Sequence, residues 1–141
     1  MTTGSARDGR RGGIAAEALT PREVAYLQAH ELGRLATVGP RGAPHVVPVA
    51  YRYDVERGSV RIGQALMPGR GQERRYLRHL RADPRAAFVV DDLEPGAGWR
   101  ASGVLVNGRA VIHEEGGEAF GPGFGPRWLE IVPRRARSWG V

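Results

Sequence analysis

The chain of 141 residues contains no cysteine and no lysine. Without Cys there is neither a disulfide nor a thiolate metal site, which agrees with a reducing compartment. No apolar run reaches the roughly 18 residues that a membrane helix needs. The arginines near the start are followed by no apolar stretch of a secretory signal, so a cytoplasmic protein is expected. Aromatic residues make up only 7%, and neither a helix-turn-helix nor a zinc finger is readable, which argues against a nucleic-acid partner.

The usual catalytic signatures are missing too. His30, His45, His79 and His113 lie far apart and lack metal-ligand spacing, so no metal site is expected. No Gly-x-Ser-x-Gly occurs, and the four serines have no His close in sequence. Gly121-Pro122-Gly123-Phe124-Gly125 neither follows a firm strand nor opens a helix, and reads as a loop rather than a dinucleotide fingerprint. Asp91-Asp92 reads as a strand-end turn. An enzyme with no nucleophile, metal or acid–base cluster is best explained when a cofactor carries the chemistry.

What is present is arginine. All 21 basic residues are Arg against 15 acids, for a net charge of +6. A GC-rich genome accounts for Arg in place of Lys but not for the surplus. A basic surplus favours polyanions, among them a cofactor with phosphate and carboxylates.

The length suits one domain with one core. Residues 1–18 read as a flexible tail and residues 19–141 as the domain. Thr20-Pro21-Arg22-Glu23 starts a helix with a capping box and Pro at the first helical position, and Gly33 ends it. Extended segments are predicted at 34–38, 45–53, 59–63, 85–90, 103–114 and 128–132, with turns or loops between them, 116–126 among the loops, and the ending 133–140 also reads as extended. Pro48 marks its strand as an edge or a bulge. Asn107-Gly108 marks a bulge or tight turn. A second helix is predicted over 72–82, stopped by Asp83-Pro84. Arg70, Arg74, Arg78 and Arg81 share one face of it, either as a solvated stripe or as a phosphate contact helped by Gly69 and Gly71. The pattern spells a small, mainly β barrel with helices.

Several runs carry a family resemblance. They are Leu32 to Val38, Gly42 to Val49, Arg81 to Asp92, Gly121 to Phe124, Ile131 to Arg135 and Ser138 to Gly140. Together they resemble the pyridoxamine-phosphate-oxidase-like split barrels, specifically the F420-dependent branch and its dehydrotetracycline reductase subfamily. The resemblance spans Leu19 to Val141. It implies a six-stranded split β-barrel that forms a homodimer, with cofactor sites in grooves between the subunits. The implied cofactor is coenzyme F420, with FMN as the alternative, and the implied reaction is hydride transfer to a conjugated small-molecule substrate. The same fold also hosts FMN oxidoreductases or oxidases and non-catalytic cofactor-binding proteins.

By the same resemblance, His45, Val46, Val47 and Pro48 flank the cofactor ring, and Arg61 and Gly63 lie on the adjoining strand. Arg70, Arg74, Arg75 and Arg78 fall in the phosphate-holding segment. His45 and Tyr51 are the candidate proton donors. In the family the helix carries a Lys-aromatic-Arg-Asn or Lys-aromatic-Arg-Asp run; here Tyr76, Leu77, Arg78 and His79 stand in those places, and only Arg78 matches.

Overall fold

The computed structural model describes residues 18–69, 73–96 and 98–141. Most of the predicted tail, up to residue 17, lies outside the described residues, as do Arg70, Gly71 and Gln72.

Helix α1 (Pro21–Gln28) begins as the sequence predicts. Thr20 Oγ1 accepts from the Glu23 amide at 3.1 Å, and Glu23 Oε1 accepts from the Thr20 amide at 2.9 Å. The second Glu23 oxygen accepts from Ser138 Oγ at 2.7 Å. One buried carboxylate thus caps the helix and ties it to the far end of the chain.

Seven strands follow: β1 (Leu32–Val38), β2 (Pro44–Ala50), β3 (Arg52–Asp54), β4 (Ser59–Ala65), β5 (Arg85–Glu94), β6 (Arg100–His113) and β7 (Phe124–Trp139). Helix α2 (Arg75–Ala82) lies between β4 and β5. All pairings are antiparallel, in the order β2-β1-β5-β6-β7-β4-β3. β2 and β3 stand at opposite ends of this order, yet only Tyr51 separates them in the chain. The sheet must therefore curl until its ends meet, which makes it a barrel. β2 and β4 approach without a hydrogen-bonded ladder, and this seam splits the barrel.

The predicted strand 45–53 is thus two strands broken at Tyr51; counted as one bent strand, the barrel has six. Pro48 lies on the edge strand β2, where its missing N–H costs no ladder bond. The register shifts between Asn107 and Gly108, the predicted bulge. A Cβ at Gly108 would collide with the Val132 carbonyl, so the bend needs glycine.

The other differences lie at element ends. α2 starts at Arg75 with Arg74 as N-cap, not at 72. Asp91 to Glu94 continue β5 instead of forming a loop, because pairing with β6 runs on from Asp91↔Gly103 to Glu94↔Arg100 and leaves the acids in solvent. β7 starts at Phe124, inside the predicted loop, and joins the core segment 128–132 to the extended ending in one strand up to Trp139, whose last residues complete the ladder with β6.

Inward residues alternate along most strands, as a one-sided sheet requires, while β7 is buried without a break from Trp128 to Ile131. Leu35, Phe88, Val90, Val104, Val106, Val60, Leu129 and Ile131 are fully buried. Leu27 of α1 and Tyr76, Leu77 and Leu80 of α2 complete the core. Among the described residues no helix is long and apolar enough to cross a membrane.

Candidate functional site

The seam between β2 and β4 opens into a cleft of about 1100 Å³. Its β2 wall carries His45, Val47, Pro48 and Val49, and its β4 wall Ile62, Gly63 and Ala65. Phe120 and Phe124 stand against Gly63, where a Cβ would lie 2.7 Å and 2.8 Å from their rings. Glycine at this point lets two aromatic rings reach the strand and line the cleft. Arg52 holds Phe120 in place, donating to its carbonyl at 2.8 Å with the guanidinium 5.3 Å from the ring centre.

The basic end of the cleft is built by the start of α2. Arg74 donates through Nη1 to Gln64 Oε1 at 3.1 Å and through Nη2 to the Ala65 carbonyl at 2.9 Å. Gln64 is gripped in turn by the buried Tyr76 hydroxyl, 2.9 Å from Nε2 and 3.1 Å from Oε1. Tyr76 thus anchors the helix to β4. Arg75 lines the cleft, is exposed, and makes no hydrogen bond or ion pair among the described residues.

The arginine stripe is only partly open. Arg78 donates to the Glu73 carbonyl at 2.7 Å. Arg81 and Arg127 are both ion-paired to Glu73 and Glu114. Hydrogen bonding and charge from Arg81 outweigh burial and hold the Glu73 carboxyl below its ordinary range.

Of the remaining candidates, Val46 faces outward at 62% exposure and Arg61 lies on the outer side of β4. The Arg61 guanidinium stacks 4.3 Å from the Trp128 ring centre and stands 3.4 Å from Asp54. Neither residue lines the cleft. Tyr51 does, but its hydroxyl donates to the Leu27 carbonyl at 2.6 Å. Burial first, then the charges of Tyr26 and Glu31, push its pKa up. That proton serves the main chain. His45 differs: its Nδ1 is buried and has no hydrogen-bond partner among the described residues.

Gln64, Arg52, Phe120 and Phe124 escape the sequence reading. Gln64 had a signal, because it continues the inward period of Val60 and Ile62 with a polar side chain. The two phenylalanines come from a segment with no strand or helix pattern of its own.

Residues 19–138 match the sequence profile of the pyridoxamine 5'-phosphate oxidase family. The chain belongs to that family. A relative from Streptomyces rimosus, named a 5a,11a-dehydrotetracycline/5a,11a-dehydrooxytetracycline reductase, is 38% identical over 122 residues. That match covers 86% of this chain and 83% of the relative. A conserved hypothetical protein from Mycobacterium tuberculosis has the same fold, with a TM-score of 0.65 at 24% identity, covering 86% of this chain and 84% of that one. An FAD-binding protein from Mesorhizobium loti follows with a TM-score of 0.59 at 22% identity, covering 85% and 92%. These likenesses agree with the split-barrel fold of the pyridoxamine 5'-phosphate oxidase family.

Proposed function

We propose that the protein is an oxidoreductase of the cytoplasm that uses coenzyme F420 to reduce a conjugated organic substrate. The cleft carries this reading. It joins apolar and aromatic walls, suited to a planar ring, to an arginine that has no ion pair among the described residues, suited to an anionic tail. The name of the Streptomyces relative supports a reductase, and the FAD-binding fold neighbour supports a flavin-type cofactor. The choice of F420 rests on the resemblance in the sequence runs quoted above.

Bound F420 supplies the two-electron chemistry as a hydride donor. The chain's own residues do the rest. Val47 and the Phe120–Phe124 pair exclude water from the ring faces. Arg75 binds the anionic tail, and Arg74 shapes that end of the cleft. His45, with its unbonded Nδ1 in the cleft wall, holds the proton that the reduced substrate takes up.

The protein works as a homodimer in this proposal. Across the outer face of the sheet the pairing aligns Val46 with Ala36 and Ala87, and Pro48 with Arg34, Val89 and Leu105. Leu32 and Val46 are 53% and 62% exposed there. Small apolar residues around the Arg34–Asp91 ion pair, with Leu32 and Val46 open to solvent, are suited to burial against a second copy. FMN is the second reading, favoured by the FAD-binding neighbour.

Parallel fluorescence titrations with F420 and FMN test the proposal, followed by turnover with reduced F420 and conjugated substrates. Tight F420 binding with little affinity for FMN, together with turnover, is expected. Preference for FMN would move the assignment to a flavin enzyme. F420 binding without turnover on any substrate would leave a cofactor-binding protein.

A further inference from the structure

Two guanidinium groups lie 5.3 Å from the ring centre of Phe120, those of Arg52 and Arg61. Their surroundings differ. Arg61 is neutralised: Asp54 stands 3.4 Å from its Nη1, and its guanidinium stacks on Trp128. Arg52 lines the cleft, is exposed, and forms no ion pair among the described residues. Its one hydrogen bond there runs from Nη2 to the Phe120 carbonyl at 2.8 Å. The remaining donors of this guanidinium serve no protein group among the described residues.

An exposed arginine is usually no more than solvated, and two observations set this one apart. The bond to the carbonyl and the contact with the ring fix the guanidinium against the aromatic wall. Ordering a long side chain then costs little when a ligand arrives. The second observation is its distance from the start of α2. β3 pairs Arg52 with Arg61, whereas Arg74 bonds the carbonyl of Ala65, four residues further along β4. At about 3.3 Å per residue, these two cationic places are roughly 13 Å apart. Gly63, with Phe120 and Phe124 against it, lies between them.

The cleft is also large. Its volume of about 1100 Å³ exceeds the range of about 300–1,000 Å³ usual for one small ligand, so a second ring has room beside the first. Glu31 is the one carboxylate lining the cleft among the described residues, and it makes no ion pair with Arg52. The charge of Arg52 is therefore available to a guest.

We propose that Arg52 is a specificity-determining residue for the substrate. It selects planar conjugated molecules that carry an ionised oxygen, a carboxylate or an acidic enol, over neutral ones. The substrate ring lies on Phe120 and Phe124, and the oxygen meets the unused donors of Arg52. The proposal rests on the reductase reading given above and names the class of its substrate. The anionic tail of the cofactor stays with Arg75.

Naphthoate and its neutral counterpart naphthamide are the probes, titrated by calorimetry into the wild-type chain at low salt. Naphthoate is expected to bind roughly tenfold tighter, with the advantage shrinking as salt is raised. Arg52→Gln should abolish the advantage by weakening naphthoate alone, and Arg52→Lys should keep most of it. A residue that only held Phe120 in place would weaken both probes together. Arg75→Ala should leave the advantage intact, and naphthoate should still bind once F420 or FMN has filled the cofactor place. NMR of the wild-type chain should show NOEs from naphthoate to the Phe120 ring, a readout that needs no variant. Hydroxycoumarin, an acidic enol, against coumarin repeats the comparison, and an advantage for either acid supports the proposal. Three results would overturn it: acids that bind no better than their neutral counterparts, an advantage that follows Arg75 instead of Arg52, or NOEs that miss Phe120. Direct titration with F420 is independent of all three, so the cofactor reading fails or stands separately.

Discussion

Arg57 grips both carboxylate oxygens of Glu130, with Nε 2.8 Å from Oε2 and Nη2 2.9 Å from Oε1. Ser59 Oγ at 2.6 Å and His113 Nε2 at 2.8 Å complete the shell, and the His113 ring stacks on Trp128. Burial pushes the Glu130 carboxyl up; the bonds from Arg57, Ser59 and His113, with Arg57's charge, outweigh it and bring the pKa from 4.5 to about 2. The folded pKa is depressed, so this stabilisation is present above about pH 4.5 and is lost as pH falls towards 2. Glu130→Gln should cost about 1–3 kcal/mol at neutral pH, the figure discounted because Arg57 is half-exposed. The variant should also flatten the acid limb of a plot of stability against pH, as measured by urea melts. An unchanged acid limb would show that Glu130 is not the group being titrated.

Tyr51→Phe removes the side-chain donor to the Leu27 carbonyl at the end of α1. A loss of about 1–2 kcal/mol is expected in thermal or urea unfolding. The pH profile of turnover should keep its shape, because the Tyr51 proton is held by the main chain. A profile that lost a limb in this variant would return Tyr51 to the chemistry.

Arg74 and Arg75 are adjacent and should behave oppositely. Arg75→Ala is expected to lower affinity for an anionic cofactor tenfold or more, with an unchanged melting temperature. Arg74→Ala strips Gln64 and the Ala65 carbonyl of a donor, so it should lower stability by about 1 kcal/mol as well as weaken binding. Calorimetric titration beside thermal melts distinguishes the two patterns.

Val46→Asp places a charge in the middle of the apolar outer face, on a strand position open to solvent. Sedimentation should show a shift from dimer to monomer while circular dichroism stays unchanged. A dimer that survives this substitution would put the subunit contact elsewhere.

Most of the fold was legible because local chemistry and long-range packing agree. The Thr20–Glu23 capping box, the edge position of Pro48 and the bulge at Gly108 each follow from one residue's backbone demands. Asp91 to Glu94 were misjudged for the opposite reason. Their strand state comes from a partner strand, not from their own pattern. The site divides likewise. His45, Val47, Pro48 and the start of α2 line the cleft, whereas Val46 and Arg61, expected beside them, do not. Phe120 and Phe124 could not be anticipated, since only the space above Gly63 draws them in. Tyr76, which breaks the family pattern, turns out to secure Gln64 and through it Arg74.

The unjoined edges of β2 and β4 make the barrel a ring with one link left undone. A guest held between them works as a clasp, resisting any outward swing of β2 that would widen the ring. Loading and mechanical stiffness are then one property. The fraction of molecules carrying a ligand should be readable from hydrogen exchange at the amides of Val47, Val49 and Ile62, on the two sides of the seam.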